Sequence, residues 1–253
     1  MPQNVGRPHM VRISCRLIRS GYETELRPDD SKSLIYSILT DDQKAKFEEE
    51  HELDFSIGIP GVSRFRVNVF MQRGCVAGVF RTIGENIPDF DDLGLSETVR
   101  QLALLPRGMV LVTGPTGCGK SSTLAALVNL INHEKEGHIV TIEDPIEFVH
   151  PNARSTVNQR ELGHDTHSFT RALKSVLRED PNVILVGEMR DLDTINAALT
   201  LAENGHLVLS TFHTQDAAQT VDRISDVFPH YQAEPYPVML AASLKRVVSL
   251  FIR

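Results

Sequence analysis

The sequence predicts an α/β protein in two parts: a small α+β domain, then a larger domain whose mostly parallel sheet is covered by helices on both faces. Three observations carry this. From residue 108 onward, short apolar, β-branched runs alternate with stretches of helical spacing, the pattern of parallel strands joined by crossover helices. Ahead of that point, three strand signals follow one another after two short helical stretches, which reads as α+β. Between them, residues 84–90 (GENIPDF) hold a Gly, a Pro and no periodicity, as a linker does. The expected organisation is a first domain over 1–83, a linker over 84–90 and a second domain over 91–253.

In the first part, residues 10–19 (MVRISCRLIR) begin by alternating, with Val11, Ile13, Cys15 and Leu17 against Arg12, Ser14 and Arg16. Such alternation predicts a half-buried strand with basic residues facing solvent. Helices are expected at 31–39 and 41–50, the second capped by Thr40 or Asp41 and ending in Glu48, Glu49 and Glu50. Strands at 55–59, 65–70 and 76–83 follow, with Pro60-Gly61 and Arg73-Gly74 as turns. Side chains alternate along a strand, so Arg64, Arg66 and Asn68 share one face, and Arg81 sits on the neighbouring strand. Guanidinium forks suit phosphates, and an arginine supplied by another subunit can accelerate phosphoryl transfer. A solvated basic face is the competing reading.

The second part opens with a short helix at 96–105, capped by Ser96, with Val99, Leu102 and Ala103 inward. Pro106-Arg107-Gly108 then turns the chain into an apolar strand, 109–113 (MVLVT). Residues 114–121 (GPTGCGKS) match G-x-x-x-x-G-K-[ST], the loop whose backbone N–H groups cradle nucleotide phosphates. Leu124, Leu127, Val128 and Ile131 give the following helix one apolar face. Strand, glycine loop and helix stand in the order the motif needs. Further strands are expected at 139–142, 183–186 and 207–211, and helices at 169–178, 192–203 and 217–227, with Asn204-Gly205 ending the second of these helices. The final residues read as an amphipathic helix carrying Leu240, Leu244, Val247, Val248 and Phe251 on one face, preceded by Pro235 and Pro237.

Ligands of such sheets sit at the carboxyl ends of the strands, and polar residues fall at those ends. The expected nucleotide-binding set is Gly114, Pro115, Thr116, Gly117, Cys118, Gly119, Lys120 and Ser121, with Ser122 beside it. Lys120 reaches the β/γ-phosphates of ATP, and Ser121 holds Mg²⁺ with help from Glu188 or Asp144 through water. Glu188 directly follows VILVG and is placed to orient or deprotonate the attacking water. Gly187 stands about where such strands usually carry an Mg²⁺-contacting Asp. Glu143, Asp144 and Glu147 crowd the next strand end around Pro145, with Glu143 the first choice for a working group. His206 and His213 flank one strand seven residues apart, a spacing that does not suit zinc. His213 is a candidate γ-phosphate sensor and a hydrogen-bonded core histidine is its alternative.

Composition narrows the partners. No apolar run approaches the roughly 18 residues of a membrane span. The amino-terminal stretch lacks the apolar core of a secretory signal. Three cysteines with no C-x-x-C pair argue against a disulfide framework or structural zinc, leaving the cytoplasm as the expected compartment. Of the net charge of −7, residues 1–83 hold 12 Lys/Arg against 11 Asp/Glu, and the rest hold 14 against 22. An acidic core is poorly matched to nucleic acid, whose binding rests on neutralising phosphates.

Five segments in order, SRFRVNVFMQRG (63–74), LVTGPTGCGKS (111–121), TIEDPIEF (141–148), LREDPNVILVGEMRD (177–191) and GHLVLSTFHT (205–214), span most of the chain. On them the chain resembles the type II/IV secretion and pilus-motor ATPases, most of all those that retract type IV pili. The resemblance implies a PAS-like first domain, a RecA-like ATPase domain, Arg64, Arg66 and Arg81 acting near a shared site, and a homohexamer. It further implies a cytoplasmic motor, peripheral at the inner membrane, that works on a pilus platform protein. Members of that family extend further at both ends, so the chain is expected to be a piece of a longer protein. An assembly or type II secretion ATPase and an inactive nucleotide-binding fragment are the rival readings.

Overall fold

The computed structural model describes residues 2–3, 5–6, 8–13, 16–21, 24–59, 61–83, 86–228 and 235–251. The chain divides into two compact units, Met1–Gly84 and Glu85–Arg253.

The first unit is built on a four-stranded antiparallel sheet in the order β1-β6-β5-β4, from β1 (Pro2–Gln3), β4 (Glu52–Ile59), β5 (Ser63–Gln72) and β6 (Cys75–Ile83). Alternation sets its two faces. Phe65, Val67 and Val69 of β5 point into a core shared with Leu53 and Val76 and with two helices, α1 (Pro28–Tyr36) and α2 (Asp41–Glu50). Thr40 caps α2, accepting from Gln43 N–H while the Gln43 side chain accepts from Thr40 N–H, so two otherwise orphaned donors are satisfied. The opposite sheet face carries Arg64, Arg66 and Asn68, and the register sets Arg66 directly across from Arg81. Arg64 donates to Ser56 Oγ at 2.7 Å and Asn68 to Asp54 at 3.3 Å.

Residues 10–19 depart from the expected single half-buried strand. They form a hairpin of β2 (Met10–Ile13) and β3 (Arg16–Arg19), while Ser14 and Cys15 lie outside the described residues. Ile13, Leu17 and Ile18 are exposed. The short alternating run folds back on itself and leaves this apolar surface in solvent.

The second unit is a six-stranded, all-parallel sheet, the α/β architecture expected. Its order is β12-β7-β11-β10-β8-β9, from β7 (Gly108–Thr113), β8 (His138–Glu143), β9 (Thr156–Glu161), β10 (Val183–Glu188), β11 (Leu207–Phe212) and β12 (Leu244–Ser249). Period-two alternation sends Val110, Val112, Leu185 and Leu209 to one face, beneath α3 (Glu97–Ala103) and α4 (Lys120–Glu134). Met109, Leu111, Ile184 and Val208 go to the other, beneath α5 (Phe169–Val176), α6 (Leu192–Glu203), α7 (Ala217–Val227) and α8 (Pro235–Ser243). Burial on both faces explains why these strands are continuously apolar. Phe90, at the end of the expected linker, is buried in the first of these two layers.

Two elements differ from expectation. β9 carries the polar sequence TVNQRE and gave no strand signal, yet it pairs along its whole length with β8. The expected terminal helix is instead the short α8 followed by β12, which pairs in parallel with β7. Pro235 and Pro237 fall in the first turn of α8, where a missing N–H breaks no helical bond. Beyond Ser243 the open edge of β7 offers a full ladder to Val247 and Val248, and β-branched residues fit it better than a further helical turn.

Candidate nucleotide site

The phosphate loop links β7 to α4. Gly114 sits at a φ of 144°, and a Cβ there would lie 2.6 Å from Leu250 O and 2.7 Å from Cys118 Sγ. Only glycine permits that approach. The N-cap of α4 is Gly119, which brings no side-chain acceptor, so the first-turn amides face outward as an anion cradle. Lys120 is 8% exposed and its Nζ donates to Gly114 O and Pro115 O, each at 2.9 Å. Those carbonyls fold the ammonium back across the mouth of its own loop.

The strand ends next to the loop supply the acids. A cavity of about 540 Å³ is lined by Thr116, Lys120, Ser121, Ser122, Glu143, Asp144, Glu147, Glu188, Arg190 and His213, together with His150. One irregularity of the sheet sets the direction of Glu188. A bulge between Val186 and Glu188 brings Glu188 level with Thr211 of β11, and Thr211 Oγ1 donates to Gly187 O at 2.6 Å. A Cβ on Gly187 would lie 3.2 Å from Glu143 Cα and 3.3 Å from Ile142 O. Glycine there lets the tips of β8 and β10 close on each other. That is a packing reason for its place in the motif.

Both oxygens of Glu188 are engaged, Oε2 by Arg190 at 2.7 Å and Oε1 by His213 Nε2 at 3.0 Å. Burial pushes this carboxyl up, but the Arg190 hydrogen bond and the charges of His213, Arg190 and Lys120 outweigh it. The net effect holds Glu188 below the ordinary carboxylate range. Glu143 goes the other way. Burial raises its pKa against the hydrogen bonds from Thr141, Gln159 and the Glu147 N–H. Two acids at neighbouring strand ends are thus tuned apart.

The expected residues separate into three groups. Thr116, Gly117, Gly119, Lys120 and Ser121 of the loop meet Ser122, Glu143, Asp144, Glu147, Glu188 and His213 of the same unit around this cavity, while Gly114, Pro115 and Cys118 complete the loop without lining it. His206 is at the opposite end of β11, hydrogen-bonded to Pro181 O at 2.8 Å. Arg64, Arg66 and Arg81 belong to the first unit. Sequence reasoning did not single out Arg190, His150, Gln159 or Thr211. A strand reading of 156–161 would have placed Gln159 opposite Thr141.

The model of the type II/IV secretion system protein family matches residues 47–252. The chain belongs to that family. Among its members, the type IV pilus retractation ATPase PilT of Pseudomonas aeruginosa is 50% identical over 249 residues, covering 97% of this chain and 71% of that protein. The twitching motility protein of Neisseria gonorrhoeae is 52% identical over 225 residues, covering 89% of this chain and 60% of the relative. A crystal structure of the pilus retraction motor PilT with bound ADP superposes with a TM-score of 0.94 at 47% identity, covering 98% of this chain and 72% of that one. No helix among the described residues is long and apolar enough to cross a membrane.

Proposed function

We propose that this chain is the ATP-hydrolysing motor of a type IV pilus retraction system. The observation that supports it most is the convergence of Lys120, Glu188 and His213 on one cavity, in a chain half identical to a protein named for pilus retraction. Lys120 and the loop amides hold the triphosphate. Ser121, with Asp144 or Glu188 through water, holds Mg²⁺; these are hard oxygen donors, which that ion prefers. Bound there, the ion neutralises phosphate charge. Glu188, kept ionised, orients the attacking water, and His213 beside it senses the γ-phosphate. Positioning of this kind is what phosphoryl transfer asks of a protein.

At larger scale, the first unit acts as a PAS-like domain over 1–83, joined by 84–90 to a RecA-like ATPase domain over 91–253. Six copies form a ring, Arg66 and Arg81 complete a neighbour's site with Arg64 and Glu147 in support, and the ring works at the inner membrane on a pilus platform protein. His206, far along β11, couples to movement only through the strand. ATPase assays with native mass spectrometry test the motor. Twitching in a retraction-deficient strain tests the load. A monomer that binds ATP without turning it over sinks the proposal.

A further inference from the structure

Two side chains from β9 tie down the turn that carries Asp144 and Glu147: Glu161 accepts the Ile146 N–H in its middle at 3.2 Å, and Gln159 links the acid before it to its far end. Gln159 lies on the edge strand β9, in register with Thr141 of β8. Its amide oxygen accepts the His150 N–H at 2.8 Å, and its amide nitrogen donates to Phe148 O at 2.8 Å and to Glu143 Oε1 at 3.2 Å. The two backbone partners admit one amide orientation: acceptor toward the His150 N–H, donor toward the Phe148 carbonyl. Thr141 Oγ1 donates to the same Glu143 oxygen at 2.6 Å, and the Glu147 N–H approaches the other at 3.4 Å. Gln159 therefore grips Glu143, just before the turn, by its carboxylate, and Phe148 and His150, at the turn's far end, by their backbones.

We propose that Gln159 is a positioning residue for ATP hydrolysis, acting through Glu143 to hold the 144–150 turn in one arrangement against the nucleotide cavity. The proposal rests on the reading of Glu143 as a working group of that cavity. Pairing at an edge strand has no need of a half-buried amide with three partners, and a shorter polar side chain would satisfy it. What the amide adds is a rigid link between an acid at a strand end and the far side of a loop, the kind of support on which placement at a reacting centre depends.

A double-mutant cycle in the full chain tests this. Gln159→Glu is isosteric and still accepts from His150, but it turns an oxygen toward Phe148 O and Glu143. It should lower kcat about tenfold or more while KM for ATP stays within about twofold, the split expected of a misplaced group rather than a lost binding contact. In Glu143→Gln the new amide can donate to the carboxylate introduced at 159. The double variant should therefore lose no more than Glu143→Gln alone, read by single-turnover phosphate release. Gln159→Met removes donor and acceptor without adding charge and should show the same non-additivity if Gln159→Glu melts early. Parental kcat in both Gln159 variants, with Glu143→Gln impaired, overturns this inference alone. Losses that multiply in the cycle also overturn it, because Gln159 would then act independently of Glu143. Parental kcat in Glu143→Gln overturns the reading of Glu143 and this inference with it.

Discussion

Glu188 has Arg190 on one oxygen and His213 on the other, and both contacts favour its charged form. Replacing it with Gln keeps the size and one of the two acceptor oxygens but removes the charge that orients water. Glu188→Gln should bind ATP within a few-fold of the parent and lose about 10²–10⁴ in kcat; isothermal titration and steady-state ATPase rates check both halves. His150 gives a second residue-scale prediction. It is buried, its Nδ1 has no hydrogen-bond partner, and burial lowers its pKa to about 4. Between that value and the ordinary one near 6.5 the unfolded chain takes up a proton that the folded chain refuses, so stability falls as pH drops through this window. The loss is up to about 3 kcal/mol, and His150→Leu should remove it. Urea unfolding at pH 7 and pH 4.5 reads the difference, and equal slopes in parent and variant would show that the imidazole is not what titrates. Lys120 and Glu188 were legible in the sequence because their chemistry follows from the few residues around them. His150 and Gln159 were not, since their meaning comes from partners across a turn or a strand pair.

The elements show the same division. β7, β10 and β11 announced themselves because strands buried on both faces are apolar throughout. β9 is an edge strand with one neighbour, so its sequence had no such constraint and stayed silent. β12 was misread for a different reason: the spacing of Leu244, Val247, Val248 and Phe251 satisfies a helix, and only the free edge of β7 decides for a strand. The strand order, with β11 and β10 standing between β7 and β8, has no local signal at all. One prediction belongs to how two strands meet. Gly187→Ala places a methyl 3.2 Å from Glu143 Cα and 3.3 Å from Ile142 O. Both neighbours are backbone, so the tips of β8 and β10 must part at a cost of about 1–3 kcal/mol. ATP turnover should fall by more than the melting temperature shift explains, because Glu188 and Glu143 move apart with the tips. A variant that loses stability but keeps its kcat would show the tips to be structural only.

At the scale of the whole molecule the decisive question is where the arginines act. Arg66 and Arg81 are exposed, face each other across β5 and β6, and belong to the first unit, whereas Lys120 and Glu188 belong to the second. Like charges set directly opposite on a sheet are unfavourable unless an anion lies between them, and a triphosphate is such an anion. If a neighbouring subunit supplies that triphosphate, the Arg66→Ala/Arg81→Ala double variant should bind nucleotide almost normally and lose about 10³-fold in turnover, the range of an arginine acting in trans. Glu188→Gln should be comparably inactive, for a different reason. When the two inactive proteins are mixed in equal amounts and reassembled, about a quarter of the sites pair an intact Glu188 on one subunit with intact arginines on the next, so activity should reappear. Arginines that act within their own subunit allow no such recovery, because every subunit then carries one defect or the other in its own site. Native mass spectrometry confirms that mixed assemblies have formed, and a mixture that assembles yet stays inactive places the arginines outside a shared site.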